Sequence, residues 1–262
     1  MPGYEWISLT TDYGLADGFV AACHGAIARL APAVRVLDVT HLVPPGDIRR
    51  GAAVLAQTVG ALPAAVHVAV VDPGVGTSRR GVALRCPDGL LVGPDNGLLP
   101  WAAQALGGIE GAVELTNPRW LAPRVSATFH GRDVFAPVAA RLALGADPDE
   151  AGPAVDPAEL VRLPEPVVAA GPGWLTAEVL SIDHFGNVQL AAPAAALTAL
   201  GPRLRVQGLP AHQAVTFGDV PVGALVVFGD SAGQAAVAVN GGRADATLSL
   251  VKGQVLRITD AS

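Results

Sequence analysis

The sequence predicts an α/β chain in two parts. Residues 1–165 read as an N-terminal α/β sandwich domain with a largely parallel sheet, and residues 166–262 as a C-terminal, all-β, barrel-like domain. Three observations carry this reading. Apolar strand-like runs alternate with helix-length segments as far as about residue 144. Pro153, Pro157, Pro164, Pro166 and Pro172 then punctuate a stretch with the composition of a stiff linker. Beyond it come only short strand-like runs, separated by turns of Gly, Asn and Asp.

Taken in order, Ile7–Leu9 is a short strand running into Thr10-Thr11-Asp12-Tyr13-Gly14, and a helix follows over 18–30, stopped by Pro32. Residues 34–39 form a second strand. The next helix spans 47–62, with Asp47 as its N-cap and Pro63 as its stop. The run 66–71 is almost wholly apolar, as expected of a strand covered on both faces. Residues 81–85 and 90–92 form a hairpin around Pro87-Asp88-Gly89, and helices follow over 98–106 and 134–144. In the second part, strands are expected at 175–183, 188–190, 204–206, 224–228, 235–239 and 254–258.

Composition removes several classes of function. The chain of 262 residues is 51% hydrophobic and 15% charged, so it builds a large core and is not disordered. Its net charge is −6 and Lys252 is its single lysine, which argues against nucleic-acid binding. Apolar stretches break well short of the ~18–20 residues a membrane helix needs, and the N-terminus lacks the pattern of a signal peptide. A cytoplasmic protein with Cys23 and Cys86 both reduced is expected.

The chemistry-bearing motifs sit at strand ends and turns. Asp72-Pro73-Gly74-Val75-Gly76-Thr77-Ser78-Arg79 follows the most apolar strand, and its Pro and Gly residues force a tight loop bringing Asp72 towards Arg79. Thr128-Phe129-His130-Gly131-Arg132-Asp133 precedes a helix. A carboxylate, a guanidinium and an imidazole so placed suit activation of a water molecule. Either motif alone also reads as structure: an ion pair at a loop, or a packed histidine. Asp12, beyond the first strand, suits a ribose diol or a helix cap. Gly93-Pro94-Asp95-Asn96-Gly97 reads mainly as a capping turn. Asp183-His184-Phe185-Gly186-Asn187 offers an acid, an aromatic face and an amide for a base-bearing or zwitterionic ligand, or forms a plain β-turn. Ser231-Ala232-Gly233 and Asn240-Gly241-Gly242 flank a strand and admit close approach of a ligand to the backbone. No GxGxxG or P-loop sequence is present, and a site built from His130, Asp133 and Asp72 matches no zinc spacing, so no metal is expected.

In this order, the motifs resemble the S-adenosyl-L-methionine (SAM) hydrolases, also called SAM hydroxide adenosyltransferases, which are related to the SAM-dependent fluorinase and chlorinase. The matches span about residues 7–245. The resemblance implies an N-terminal α/β domain, a C-terminal β-barrel, and a homotrimer whose active sites lie between neighbouring subunits. It implies that SAM and water give adenosine and L-methionine by attack at ribose C5′, with no cofactor. Carried over by motif, Asp72, Arg79 and His130 are catalytic, and Asp12 holds the ribose hydroxyls. Asp183 and Ser231 bind the methionine end. Phe185 and Asn187 contact adenosine, Asn240 with the Gly241 backbone meets the adenine edge, and Phe217 stacks on adenine. The related halogenases carry a Ser where Gly131 stands, lack the Asp-Arg-His set and have an extra N-domain loop not found here. A large aromatic that packs on SAM in the halogenases has no counterpart near Pro45-Gly46-Asp47. The rival readings are a SAM-dependent halogenase, a non-catalytic SAM or adenosine binder, and a metal-dependent hydrolase. Which of Asp72, Arg79 and His130 takes the proton stays open.

Overall fold

The computed structural model describes residues 3–261, and the chain divides into two compact units, Met1–Leu163 and Pro164–Ser262. The first is a sheet between two helical layers. Its strands are β1 (Trp6–Thr11), β2 (Arg35–Thr40), β3 (Val66–Val70), β4 (Gly81–Cys86), β5 (Gly89–Pro94), β6 (Gly111–Glu114) and β7 (Ala154–Val155), in the order β2-β1-β3-β5-β4-β6-β7. Pairing is parallel from β2 to β5 and antiparallel from β5 to β7. Helices α1 (Phe19–Leu30) and α4 (Ala136–Ala143) cover one face, and α2 (Ile48–Val59) and α3 (Pro100–Ala105) the other.

β3 shows why its sequence is apolar at every position but His67. Val66, Val68 and Val70 enter the core under α1 and α4, while Ala69 and Val71 enter the core under α2 and α3. Alternate side chains point to opposite faces, so a strand covered on both sides is apolar on both, and its one polar side chain, His67, is fully buried with Nδ1 2.8 Å from Ser8 Oγ. As expected, the Asp47 side chain caps α2, accepting from the Arg50 N–H at 2.9 Å.

The strand order places the site. From β1 the chain moves to β2 on one side, then returns to β3 on the other. The carboxyl ends of β1 and β3 therefore diverge into a crevice, where α/β sheets bind ligands. Asp12 follows β1 directly, and Asp72 follows β3 by one residue.

The second unit is a closed barrel. Its strands are β8 (Val168–Gly171), β9 (Trp174–Ile182), β10 (Val188–Pro193), β11 (Arg203–Val206), β12 (Leu209–Gln213), β13 (Leu225–Gly229), β14 (Gln234–Val239) and β15 (Val255–Asp260). Seven run in the order β10-β14-β13-β12-β11-β15-β9, and pairing of β9 with β10 closes the ring. β8 pairs with β9 alongside it. Alternate residues such as Leu175, Ala177 and Val179 point inward and fill the interior. A short helix, α5 (Ala244–Leu248), follows β14.

Elements beyond the sequence reading are the short ones: β6, β7, β8, β12 and α5. The first part of the proline-punctuated stretch packs against the first unit. Leu160 is buried, the Val161 N–H donates to Asp95 Oδ1 at 2.9 Å, and Arg80 Nη2 donates to the Glu159 carbonyl at 3.0 Å. Pro148 and Pro157 start short 3₁₀ turns, where a missing N–H costs nothing. Cys23 and Cys86 are buried free thiols, and burial pushes both up to about 12, so neither is a reactive thiolate. Among the described residues, no helix is long and apolar enough to cross a membrane.

Candidate active site

The two motifs about fifty residues apart meet at the crevice. Arg79 is the link between them. Its Nε donates to Asp72 Oδ1 at 3.1 Å and its Nη2 to Asp72 Oδ2 at 2.5 Å, while the same Nη2 lies 3.0 Å from His130 Nδ1. The Asp72 and Arg79 side chains are only 4% and 8% exposed. A two-point guanidinium–carboxylate pair fixes the orientation of both groups. The guanidinium also lies over the Phe135 ring, 5.5 Å from its centre.

Local sequence explains how these loops close. Gly76 has φ +78°, and a Cβ there would run into the Ala127 carbonyl, so only glycine lets the 72–79 loop lie against the loop that carries His130. The Thr77 hydroxyl donates to the Gly74 carbonyl at 2.7 Å and accepts from the Arg79 N–H at 3.3 Å, which pulls the arginine back over Asp72. The turn 93–97 serves as scaffold. Asn96 Nδ2 donates to the Val71 carbonyl at 2.9 Å, just before Asp72, and Asp95 holds Arg80, next to Arg79.

The Arg79 contact settles the state of His130. A guanidinium has only donors, so Nδ1 must accept and Nε2 carries the hydrogen. Burial first, and then the neighbouring Arg79 charge, push the imidazolium below its ordinary range, against the opposing pull of Asp72 and Asp133. His130 is therefore a neutral imidazole at pH 7, presenting an Nε2–H.

A cleft of about 340 Å3 opens beside this set, lined by Asp12, Tyr13, Gly46, Asp72, His130 and Gly131 among others. Asp12 Oδ2 accepts from the Gly46 N–H at 2.9 Å, which holds its carboxylate at the rim. Tyr13 is a residue that sequence reasoning missed. Its ring packs edge-on to Phe129, 5.7 Å between centres, and its hydroxyl stands where a Cβ on Gly131 would be. Burial pushes this hydroxyl strongly up, so it stays protonated, and among the described residues no side chain accepts its hydrogen. The only sequence-level signal for it was the lack of a side chain at Gly131.

Asp133 does not join the cleft as a possible ligand. Its oxygens accept from Arg132 at 2.6 and 2.8 Å and from the Ser126 N–H at 2.8 Å, so it braces the turn below His130. A site shared by His130, Asp133 and Asp72 is not formed.

The other predicted contacts belong to the barrel unit. Asp183 Oδ1 accepts from the Phe185 and Asn187 N–H groups at 2.9 and 2.8 Å, and Oδ2 accepts from Asn187 Nδ2 at 2.8 Å. This turn holds Phe185 out, 71% exposed. Arg243, absent from the sequence reading, bridges the His184 carbonyl and Asp245, and the Gly186 carbonyl accepts from the N–H groups of Ala244 and Asp245. The 183–187 turn is thereby brought beside the turn containing Asn240 and Gly241. Asn240 Nδ2 donates to the Val220 carbonyl at 2.7 Å. Its Oδ1 has no protein donor among the described residues. Gly241, at φ +71°, makes the reversal after β14. Phe217 packs edge-on to Phe228 at 5.1 Å and is 41% exposed. Ser231, in the turn before β14, lies at the end of that strand opposite to Asn240.

Comparisons with known proteins place the chain in a family. The family model described as the SAM hydroxide adenosyltransferase N-terminal domain matches residues 7–152, and the C-terminal domain of the same family matches residues 177–257. A protein of Salinispora arenicola named (R)-S-adenosyl-L-methionine hydrolase is 69% identical over 99% of both chains. A fluorinase of an Actinoplanes species is 30% identical over 71% of each. The crystal structure of an uncharacterized conserved protein from Thermotoga maritima superposes with a TM-score of 0.91 at 34% identity, covering 97% of this chain and 99% of that one. The chain belongs to the SAM hydroxide adenosyltransferase family.

Proposed function

We propose that this enzyme hydrolyses S-adenosyl-L-methionine to adenosine and L-methionine, by attack of water at ribose C5′. The single observation that carries the reading is the Asp72–Arg79–His130 set, locked together at the β1/β3 crevice and facing a cleft. The 69%-identical relative is named for the (R)-epimer at sulfur, so the (R)-sulfonium is the substrate form we assign.

The sulfonium is already an activated leaving group. As the C5′–S bond breaks, its electron pair stays on sulfur and methionine departs as a neutral thioether, so no general acid is needed. The C5′–O bond forms from water, and one proton must leave. The site's task is to hold the water behind C5′ and accept that proton. His130, fixed as the Nε2–H tautomer, orients the oxygen by donating to it. Asp72, with carboxylate lone pairs beyond those taken by Arg79, receives the proton and passes it to solvent. Arg79 holds both partners in register. Tyr13 offers a second donor from the Gly131 side and fills the space that a larger nucleophile would need.

Asp12 is placed to accept from the ribose hydroxyls. In the barrel unit, the exposed Phe185 offers an aromatic face, Asn240 Oδ1 with the Gly241 backbone suits the edge of an adenine, and Asn187, Ser231 and Asp183 suit the remaining polar groups. Asp183 keeps one accepting position after building its own turn. Phe217 presents its free face for stacking. We carry forward a cytoplasmic homotrimer in which a second copy completes each site, and a reaction that needs no cofactor.

Product analysis tests this reading. The purified protein is incubated with (R)-SAM and (S)-SAM separately, with and without chloride and fluoride. Equal amounts of adenosine and methionine from the (R)-epimer, unchanged by halide, are expected. A 5′-halo-5′-deoxyadenosine would establish the halogenase instead, and tight binding without turnover would establish a binding protein.

A further inference from the structure

Across α1, β2 and the loop after β2, three side chains converge that the hydrolysis does not use. His24 extends from α1, Asp38 from β2, and His41 from the loop after β2. His24 Nε2 and His41 Nε2 lie 2.9 and 3.0 Å from the same oxygen, Asp38 Oδ1, and the three ligand atoms all fall within 4.8 Å of one another. We propose that His24, Asp38 and His41 form a binding site for a divalent transition-metal ion of the zinc or cobalt type.

A second observation points to a ligand. The His41 side chain is 3% exposed, and its Nε2 lies 3.0 Å from Asp38 Oδ1 without the alignment of an N–H···O hydrogen bond, so that its in-plane direction points to one side of that oxygen. A buried ring nitrogen in hydrogen-bond range of a carboxylate, yet out of line for an N–H···O bond, is placed as a lone-pair donor to something between the two. Its other nitrogen, Nδ1, lies 2.9 Å from Thr11 Oγ1. A hydrogen bond from the second ring nitrogen is how metal-binding histidines are oriented.

The distances and chemistry suit an ion of this class. Two ligand atoms at ~2.0–2.1 Å from one metal, at right angles, stand about 2.9 Å apart, which matches the edges to Asp38. Tetrahedral angles require these edges to open by only a few tenths of an ångström, and the His24 and Asp38 side chains, 36% and 41% exposed, are free to give. Two imidazoles and one carboxylate favour zinc, cobalt, nickel or copper over the all-oxygen shells of magnesium and calcium. Exposure on the His24 side provides the entry path and leaves room for water ligands.

The site has a structural consequence. His41 ties the loop after β2 to the end of β1, through Thr11 Oγ1 and through its own carbonyl, which accepts from the Gly14 N–H at 2.7 Å. Thr11 precedes Asp12, so a bound ion stiffens the segment that presents Asp12 and Tyr13.

The test uses Co2+ as a spectroscopic probe and Zn2+ by calorimetry on the chelator-treated full-length protein. One ion per chain is expected, with visible Co2+ absorption, a rise in Tm on adding Zn2+, and no binding of Mg2+. His24→Ala and Asp38→Asn, both at exposed positions and compatible with folding, should each weaken binding at least tenfold and abolish the Tm shift. His184→Ala should leave Co2+ and Zn2+ binding unchanged. Thr11→Val should weaken binding about tenfold, as loss of an outer partner does. Absence of stoichiometric Co2+ or Zn2+ binding, binding unchanged in both His24→Ala and Asp38→Asn, or binding lost in His184→Ala would overturn the proposal.

Discussion

The cleft of the first unit and the turns of the barrel hold their polar side chains by different means. In the cleft, side chains are tied to side chains: Arg79 binds Asp72 at two points and His130 at a third, nearly out of contact with solvent. In the barrel, side chains are tied to their own backbone, as Asp183 is to the 185 and 187 N–H groups, and the aromatic they support stays exposed. Groups that must act on a reacting atom need fixed protonation and direction before substrate arrives. Groups that recognise a base or a zwitterion need a rigid platform and an open face. The proposed division, chemistry in the cleft and recognition at the turns, rests on this difference.

The largest expected effect breaks the cleft. Asp72→Asn keeps the shape but removes the charge Arg79 binds and the proton acceptor, and kcat should fall on the order of 10²–10⁴-fold with little change in KM. Arg79→Met leaves Asp72 buried and unpaired, and should also lower stability by about 3 kcal/mol, seen in denaturant unfolding. If either variant raised KM and spared kcat, the division of labour would fail.

Asp183→Ala tests the other side. It removes the acceptor of three hydrogen bonds within the turn, so KM should rise about tenfold while kcat changes less than threefold. Tyr13→Phe is a smaller change within the cleft. Losing one donor to the water should lower kcat by about three- to tenfold at constant KM.

The smallest expected effect is a displacement along the pH axis. His130 must be neutral to accept from Arg79, and burial with the Arg79 charge holds its imidazolium below the ordinary value of 6.5. The acid limb of kcat/KM should therefore lie below 6.5, and in Arg79→Met the residual activity should lose its acid limb at higher pH. The same sign governs stability. The unfolded chain binds a proton at this group as pH falls through about 6.5 while the folded chain does not, so the contribution of His130 to stability declines as pH drops from there towards its folded value. A limb above 6.5 in the parent enzyme would show that His130 is charged in the resting site.

Much of the fold and site is legible in the sequence because its signals are local. The alternation of strands and helices, the apolar run at 66–71 and the Pro-Gly loop at 72–79 each follow from residues close in the chain. Asp72, Arg79 and His130 stand out because the loops that carry them contain glycines with a steric job, as Gly76 has against Ala127. What escapes is long-range. β12 and β8 are short strands that exist only because neighbours pair with them. Arg243 earns its place by reaching a carbonyl 59 residues away. Tyr13 reaches the cleft only through the space left at Gly131, and His24, Asp38 and His41 meet only once α1 packs beside β2. A polar turn can also be scaffold: Asp95 holds Arg80 and Asn96 holds the Val71 carbonyl, on either side of the 72–79 loop.

The central claim is that water, aligned by Asp72, Arg79 and His130, attacks C5′. It is tested most directly by turnover of (R)-SAM in ¹⁸O-labelled water, with mass spectrometry of the products. One ¹⁸O at the 5′ position of adenosine, unlabelled methionine in equal amount, and loss of both products in Asp72→Asn are the predicted result. Adenosine without label, or labelled adenosine formed equally well by Asp72→Asn, would contradict it.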